Sequence, residues 1–454
     1  MTTNVTIDRE RLAALHRREV ERYLRTHPRS VALAAQDARH FLFGVPLHWM
    51  RDWPTPAVLH VERAQGCRLW CADGHEYLDF CLGDTGAMFG HSPAPVARAM
   101  AEQAGRGLTA MLPSVLTAEV GQRLAACFGL PRWQVTLSAS DANRFVLRWA
   151  RAVTRRAKVL VFDGCYHGTV DDTLVDMDAG QRTVTRASLL GQVHDLSLGT
   201  VVVPFNDIGA VEQALARGDV ACVLTEPALT NCGLVPPLPG FLAQLQQSCR
   251  RHGTLFVLDE THTVSSGWGG HARVDGLAPD MVVVGKAIAG GLPCAVYGFT
   301  EALNERMEAA KRAAPDGHSG IGTTLSANLL AMAALHASLG EVITPAHYER
   351  MLRCAAAIEA RLRETLERAG VPWSVTRLGA RMEIQYCEQP PRDAAQARAA
   401  MDDALERTLH LWLLNRGILI TPFHNMLLVS PHTDAADAEP LAAALAGFLA
   451  EVRA

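Results

Sequence analysis

The chain has 454 residues, 49 % of them apolar and 20 % charged, which is the composition of an ordinary soluble globular protein, long enough for two or more lobes. A formal net charge of −4 and a pI near 6.5 leave no basic footprint, which argues against nucleic acid or an anionic membrane as the main partner. No apolar run approaches the ~18–20 residues of a membrane span, and the opening stretch MTTNVTIDRERLAALHRREVERYL has no apolar secretory core, so a cytoplasmic location is expected.

Residues 1–57 read as an arm that begins with an amphipathic helix. Its segment PLHWMRDWPTP places Trp49 and Trp53 on either side of Arg51. Between 58 and 82 the stretches VLHVERAQG and CRLWCADGHEYLDF read as short strands, with a turn at Asp73-Gly74. From about residue 95 helices and apolar strands alternate. Helical periodicity fits 95–105, 117–128 and 142–153; strand-like runs fall at 134–137, 158–162, 220–225, 254–258, 281–284 and 295–299. Helix-compatible segments at 208–216 and 241–251 separate several of them. A long helix is expected over 326–339, then a mixed tail with helices near 349–369 and 437–452. The expectation is an α/β protein. A large domain (95–339) carries a mostly parallel sheet covered by helices on both faces. A smaller α+β lobe is built from both chain ends (58–94 and 340–454). The eleven cysteines form no C-x-x-C pair and read as reduced, mostly buried thiols.

Ligands of open α/β sheets bind beyond the carboxyl ends of the strands, and several polar residues fall there. VTLSASDANRF sets Ser138, Ala139, Ser140 and Asp141 between a strand and a helix. Free backbone N–H groups in the first helical turn suit a phosphate, or Ser140 or Asp141 is an ordinary N-cap. Tyr166 follows the strand 158–162 and can stack on a planar ring. Glu226 ends one strand, and Asp259 with Glu260 ends another. A metal site is disfavoured there, since His262 alone stands at ligand spacing. Only three lysines occur, Lys158, Lys286 and Lys311. Lys286 ends the buried-looking run PDMVVVGKAIAGGLP, where a desolvated amine can lose its proton and attack a carbonyl, as arginine cannot. A phosphate cradle, a stacking aromatic, a carboxylate and an imine-capable lysine are together what pyridoxal 5′-phosphate requires.

DGHEYLDF, the GH of MFGHSPAPV, CYHGT, TEPALTNCG, VLDETHT, VVVGKAIAGGLP and GTTLSANLLAMAA occur in this order. As a set they resemble the class III (omega-type) aminotransferases, the pyridoxal-phosphate family that includes glutamate-1-semialdehyde aminomutase. The resemblance runs from about residue 58 to the C-terminus. It implies an aspartate-aminotransferase-like fold of type I. It implies that Lys286 is the Schiff-base lysine, Asp259 the partner of the pyridinium nitrogen and Tyr166 the stacking aromatic. Glu226 would lie near the cofactor's 3-oxygen, and Ser138, Ala139 and Ser140 at its phosphate. Thr324 would reach the phosphate of the neighbouring subunit, which implies a homodimer with shared active sites. The sequence departs from the family pattern at Ala139 (usually glycine), Asp141 (usually glutamate), Thr261 and His262 after Asp259-Glu260, and Ala327-Asn328-Leu329.

Many such relatives grip a substrate carboxylate with an arginine near the C-terminus. LITPFHNMLLVSPHT has none and offers His424 instead. Arg51, between Trp49 and Trp53, is an alternative anchor if the arm closes over the site; otherwise these tryptophans dock the arm on the body. The expected activity is transamination from an amine or amino acid to a keto acceptor. The alternative is an intramolecular aminomutase or epimerase on the same scaffold. A non-catalytic pyridoxal-binding protein is a remote third reading.

Overall fold

The computed structural model describes residues 7–453 and divides into two compact units. Unit 2 comprises Pro93–Tyr348 and Pro391–Ala399. Its centre is a seven-stranded sheet of β1 (Arg132–Thr136), β2 (Lys158–Phe162), β3 (Thr200–Val203), β4 (Val220–Thr225), β5 (Leu255–Asp259), β6 (Met281–Val284) and β7 (Ala295–Phe299), in the order β1-β7-β6-β5-β4-β2-β3. β7 is antiparallel to both neighbours, and the pairs from β6 to β3 are parallel. β4, β5 and β6 are buried at every position. Strands covered on both faces have no polar side to alternate with, so they read as unbroken apolar runs. The edge strand β3, with the sequence TVVV, was not singled out from the sequence.

The helices of this unit include α1 (Ala94–Ala104), α2 (Thr117–Phe128), α3 (Ala139–Thr154), α4 (Ile208–Leu215) and α5 (Phe241–His252). α2 stops where Gly129 turns left-handed at φ 81°, a conformation open to glycine at no steric cost. α3 begins three residues earlier than periodicity placed it. Ser138 is its N-cap, extended at φ −149° and ψ 160°, and its hydroxyl accepts from Asp141 N. The helix expected over 326–339 instead starts at Leu329. Asn328 caps it by accepting from Ala331 N at 2.8 Å, and Ala327 before it is left-handed. Residues 391–399 join this unit through Asn206, whose Nδ2 donates to Arg392 O at 2.8 Å, and through an Arg398–Asp163 ion pair.

Unit 1 comprises Met1–Ser92, Glu349–Pro390 and Ala400–Ala454. It holds a four-stranded sheet (Val61–Gln65, Arg68–Cys71, Glu76–Asp79, Ile418–Leu419) and a three-stranded one (Ser374–Leu378, Arg381–Gln385, Met426–Leu428). The amphipathic helix Arg9–Thr26 packs on Asp403–Leu414 and Ala438–Val452. Its buried Glu19 meets Arg416 at 3.2 Å. Tyr23, Leu69, Tyr77, Leu411 and Leu419 form a core against which Trp53 rests. The turn expected at Asp73-Gly74 joins the second and third strands, with Gly74 at φ 83°.

All eleven cysteines are free, ten of them buried. Among the described residues no single helix is long and apolar enough to cross a membrane.

Candidate active site

The site of unit 2 grows from strand register. In the parallel pair β5–β6, Asp259 stands beside Val283, and Glu260 N donates to Val283 O at 2.8 Å. Adjacent strands lie ~4.8 Å apart, so Lys286, three residues past Val283, leaves the sheet close to where Asp259 does. Lys286 is left-handed at φ 50°, between Gly285 and the short turn that ends at left-handed Gly290. Its Nζ lies 2.8 Å from His262 Nε2.

Asp259 is 3 % exposed, and both of its oxygens are engaged. Oδ1 accepts from Thr261 N at 3.1 Å. Oδ2 accepts from Asn143 Nδ2 at 2.8 Å and from His167 Nδ1 at 3.0 Å. Burial alone would raise this carboxyl, but the bonds from His167, Thr261 and Asn143 outweigh it and hold the group below the usual carboxylate range. Burial alone would likewise depress His167, yet Cys165 and Asp259 push its imidazole up to about 10. The two therefore form a buried ion pair at neutral pH. Asn143 also donates to His167 O at 3.1 Å, which ties α3 to the loop after β2.

Glu226, at the end of β4, accepts from Tyr166 N at 3.2 Å and from the Thr230 hydroxyl. Burial raises its carboxyl to about 7, against the pull of His167 and Thr230. It can therefore hold or release a proton near neutral pH. Tyr166 follows in the same loop and is half-buried.

The turn into α3 is built for a close visitor. Because Ser138 rather than Ser140 or Asp141 caps the helix, Ala139 and Ser140 lie in its first turn. Ala139 is not among the residues with positive φ, so nothing there requires the family's glycine. Ser140 Oγ accepts from Thr169 N at 3.0 Å. A Cβ on Gly168, at φ +80°, would stand 2.1 Å from that oxygen, and one on Gly285 would stand 2.9 Å from Ala139 Cβ. Small residues and a helix N-terminus thus meet beside Lys286, an arrangement that fits a phosphate. Arg144 donates to Thr169 O at 3.3 Å.

The remaining expected residues fall in both units. Thr324 is exposed in unit 2. Trp49, Arg51, Trp53 and His424 belong to unit 1. Trp53 packs edge-on to His410 at 5.5 Å and rests on the core, which is the docking alternative for that side chain. Arg51 lies over Phe43 at 5.7 Å, and Trp49 is 40 % exposed. His424 is left-handed at φ 61°. Burial and Arg381 depress its imidazole to about 4 against the opposing pull of Asp84, so it is neutral. Asn143 and His167 were not identified from the sequence as partners of Asp259. The available signal was Asn143 itself, a polar residue on the buried stripe Ala142, Phe145, Val146 of α3. Arg381, fully buried in its strand, was also passed over. Among the described residues no group of His, Cys, Asp or Glu is placed to hold a metal ion.

An amine at a strand end, an ionised buried carboxylate on the neighbouring strand, an adjacent aromatic and an anion cradle define a class: the pyridoxal-phosphate enzymes of fold type I. The model for aminotransferase class-III matches residues 50–445, and the chain belongs to that family. It is similar to a glutamate-1-semialdehyde-aminomutase from Pseudomonas aeruginosa PAO1, with 47% sequence identity and a TM-score of 0.96 over 98% of this chain and 99% of that one. A lysine variant of that protein is known in complex with PMP. The glutamate-1-semialdehyde 2,1-aminomutase of Anaeromyxobacter sp. (strain Fw109-5) is 35% identical over 86% of this chain and 90% of its own length. A beta-phenylalanine aminotransferase from Variovorax paradoxus is 27% identical, with a TM-score of 0.84 over 97% of each chain.

Proposed function

We propose that this enzyme moves an amino group within one molecule, as an aminomutase of the glutamate-1-semialdehyde type. This displaces the expectation of transamination, which rested on the frequency of that activity in the family. The observation that carries the reading is 47% identity to an aminomutase across nearly the whole of both chains. Lys286, Asp259 and Tyr166 serve either activity and do not decide between them.

The residues fit pyridoxal 5′-phosphate. Lys286 Nζ would join its aldehyde, Asp259 its ring nitrogen, Tyr166 its face, Glu226 its 3-oxygen side, and Ser138, Ala139 and Ser140 its phosphate. Once bound, this group supplies an electron sink for the carbon that carries the amine. The protein supplies the rest. Asp259 stays ionised because His167 and Asn143 hold it so, and it keeps a negative charge where a protonated ring nitrogen needs one. Lys286 Nζ takes a proton from one substrate carbon and returns it to another. Glu226, poised near neutral pH under the influence of His167 and Asp259, holds or yields a proton beside Tyr166. His424, Trp49 and Arg51 remain our candidates for substrate contact, and Trp53 with them only if it leaves its place on the core.

The test is glutamate 1-semialdehyde supplied without any keto acid. An aminomutase converts it to the isomer with the amine on carbon 1. A transaminase, the reading favoured by the resemblance to the beta-phenylalanine aminotransferase, gives no such isomer: with the substrate's own aldehyde as acceptor it yields a dicarbonyl and a diamine in equal amounts.

The same reading includes a cytoplasmic homodimer. Met111, Leu112 and Val115 are 78%, 70% and 99% exposed, a stretch of apolar surface that a second copy would cover. Leu329 N donates to Leu108 O at 2.9 Å, which anchors the start of that stretch near the segment carrying Thr324. Thr324 would then reach the partner's phosphate. Sedimentation should give twice the chain mass, and Thr324→Ala should weaken cofactor retention without dissociating the dimer.

A further inference from the structure

The imidazole beside the reactive amine belongs neither to the phosphate cradle nor to the Asp259 network. His262 is 6 % exposed, and its Nε2 lies 2.8 Å from Lys286 Nζ. Its backbone is braced on several sides. Thr261 N is bonded to Asp259. The His262 carbonyl accepts from Ser265 Oγ at 2.9 Å, and Val264 O accepts from the Tyr348 hydroxyl at 2.8 Å. Glu260, fully buried, accepts from Thr263 Oγ1 at 2.5 Å, from His271 N at 3.0 Å and from Ala272 N at 2.7 Å. That carboxylate fixes the turn whose two ends present Asp259 and His262. Lys286 is held from its own side by a left-handed backbone, which a non-glycine residue adopts only when the surrounding structure imposes it. Two fixed backbones therefore bring a long, flexible side chain to one ring nitrogen.

We propose that His262 is a positioning residue for Lys286. It holds Nζ in one place whenever that nitrogen is not covalently engaged, so the amine meets each carbonyl and each proton from a constant direction. An imidazole can accept from an amine or donate to it, depending on tautomer, so the contact survives a change in the protonation of Lys286. An aliphatic side chain could not do this. The inference rests on Lys286 being the reactive amine.

The experiment uses the full chain freed of cofactor, with pyridoxal 5′-phosphate as the probe. Attachment is followed by visible absorbance, and borohydride trapping with peptide mapping locates it. His262→Leu should slow attachment at position 286 about tenfold or more, the scale of a lost hydrogen bond to a charged or reactive amine. In turnover it should lower kcat and leave KM in place. His262→Gln, which keeps a polar group at similar reach, should stay within about threefold of the wild type. Equal attachment rates and equal kcat in wild type and His262→Leu would overturn the inference and leave Lys286 standing. Equal losses in the Leu and Gln variants, both melting at the wild-type temperature, would overturn it too, because polarity would then not matter. Should His262→Leu not fold, His262→Asn, whose amide stops short of Nζ, takes its place with the same expectations. Failure of the wild type to attach at 286 would bring down the reading of Lys286 itself.

Discussion

Asp259→Asn perturbs the site at a buried charge. Asp259 Oδ2 accepts from two donors, Asn143 Nδ2 and His167 Nδ1. A carboxamide placed there turns an NH2 toward one of them or removes an acceptor from the other. It also leaves the His167 imidazolium without its counter-ion, in a place where burial disfavours charge. Breaking a buried pair from one side costs about 3–5 kcal/mol, and we expect a loss of that size at pH 7 in cofactor-free protein. The pH dependence carries the diagnosis. His167 has a raised folded value, so its share of the stability is complete below the unfolded value of 6.5 and fades as pH rises through about 10. Asp259 has a lowered folded value, so its share is present above 3.8 and fades only in acid. The gap between wild type and Asp259→Asn should therefore be widest near pH 5–7 and shrink toward pH 10. Urea unfolding of both proteins across that range measures it, and titrations common to both cancel in the difference. A gap that stays constant from pH 7 to pH 10, or one below about 1 kcal/mol throughout, would refute the ion-pair argument.

Lys286→Ala should abolish the lysine-linked visible absorbance and nearly all turnover while leaving the fold intact; spectra and borohydride mapping check it. Ser138→Ala removes the cap of α3 and should cost about 1 kcal/mol in thermal or urea unfolding. It should also weaken phosphate retention, as measured by cofactor dissociation. Glu226→Gln should flatten the stability profile between pH 4.5 and 7. The raised folded value means that wild-type stability is complete below 4.5 and falls as pH climbs through about 7, by about 3 kcal/mol in all. A Gln variant with the same slope would show that another group is responsible.

The sequence made the central sheet legible because β4, β5 and β6 are buried on both faces and so carry unbroken apolar runs. Lysine scarcity made Lys286 conspicuous, and strand ends made Asp259 and Glu226 so. The cap of α3 was harder to place. Ser138, Ser140 and Asp141 are all competent caps, and only the extended exit from β1 selects Ser138. The long helix lost its first turn because Asn328 competes for the backbone N–H groups ahead of it. The pairing of Asp259 with Asn143 and His167 spans 116 and 92 residues of chain, a separation that periodicity does not encode. The strand pair Ser374–Leu378 and Arg381–Gln385 was hidden by buried polar residues such as Thr376, Glu383 and Gln385, which break the alternation expected of a strand. The choice between transaminase and aminomutase was not legible at all, because the residues that mark the family serve both chemistries.

The lateral alignment of Asp259 with Val283 separates what can drift in this protein from what cannot. The stretch between Ala272 and β6 could lengthen or shorten by insertion and leave both chemical groups where they are, since sheet hydrogen bonds and not loop length place them. One residue added or deleted between Val283 and Lys286 would instead carry the amine away from the carboxylate, because that step leaves β6 and turns through left-handed Lys286. Descendants of this chain can remodel that connection beyond Ala272, while the turn braced by Glu260 and the three-residue step from Val283 to Lys286 stay frozen.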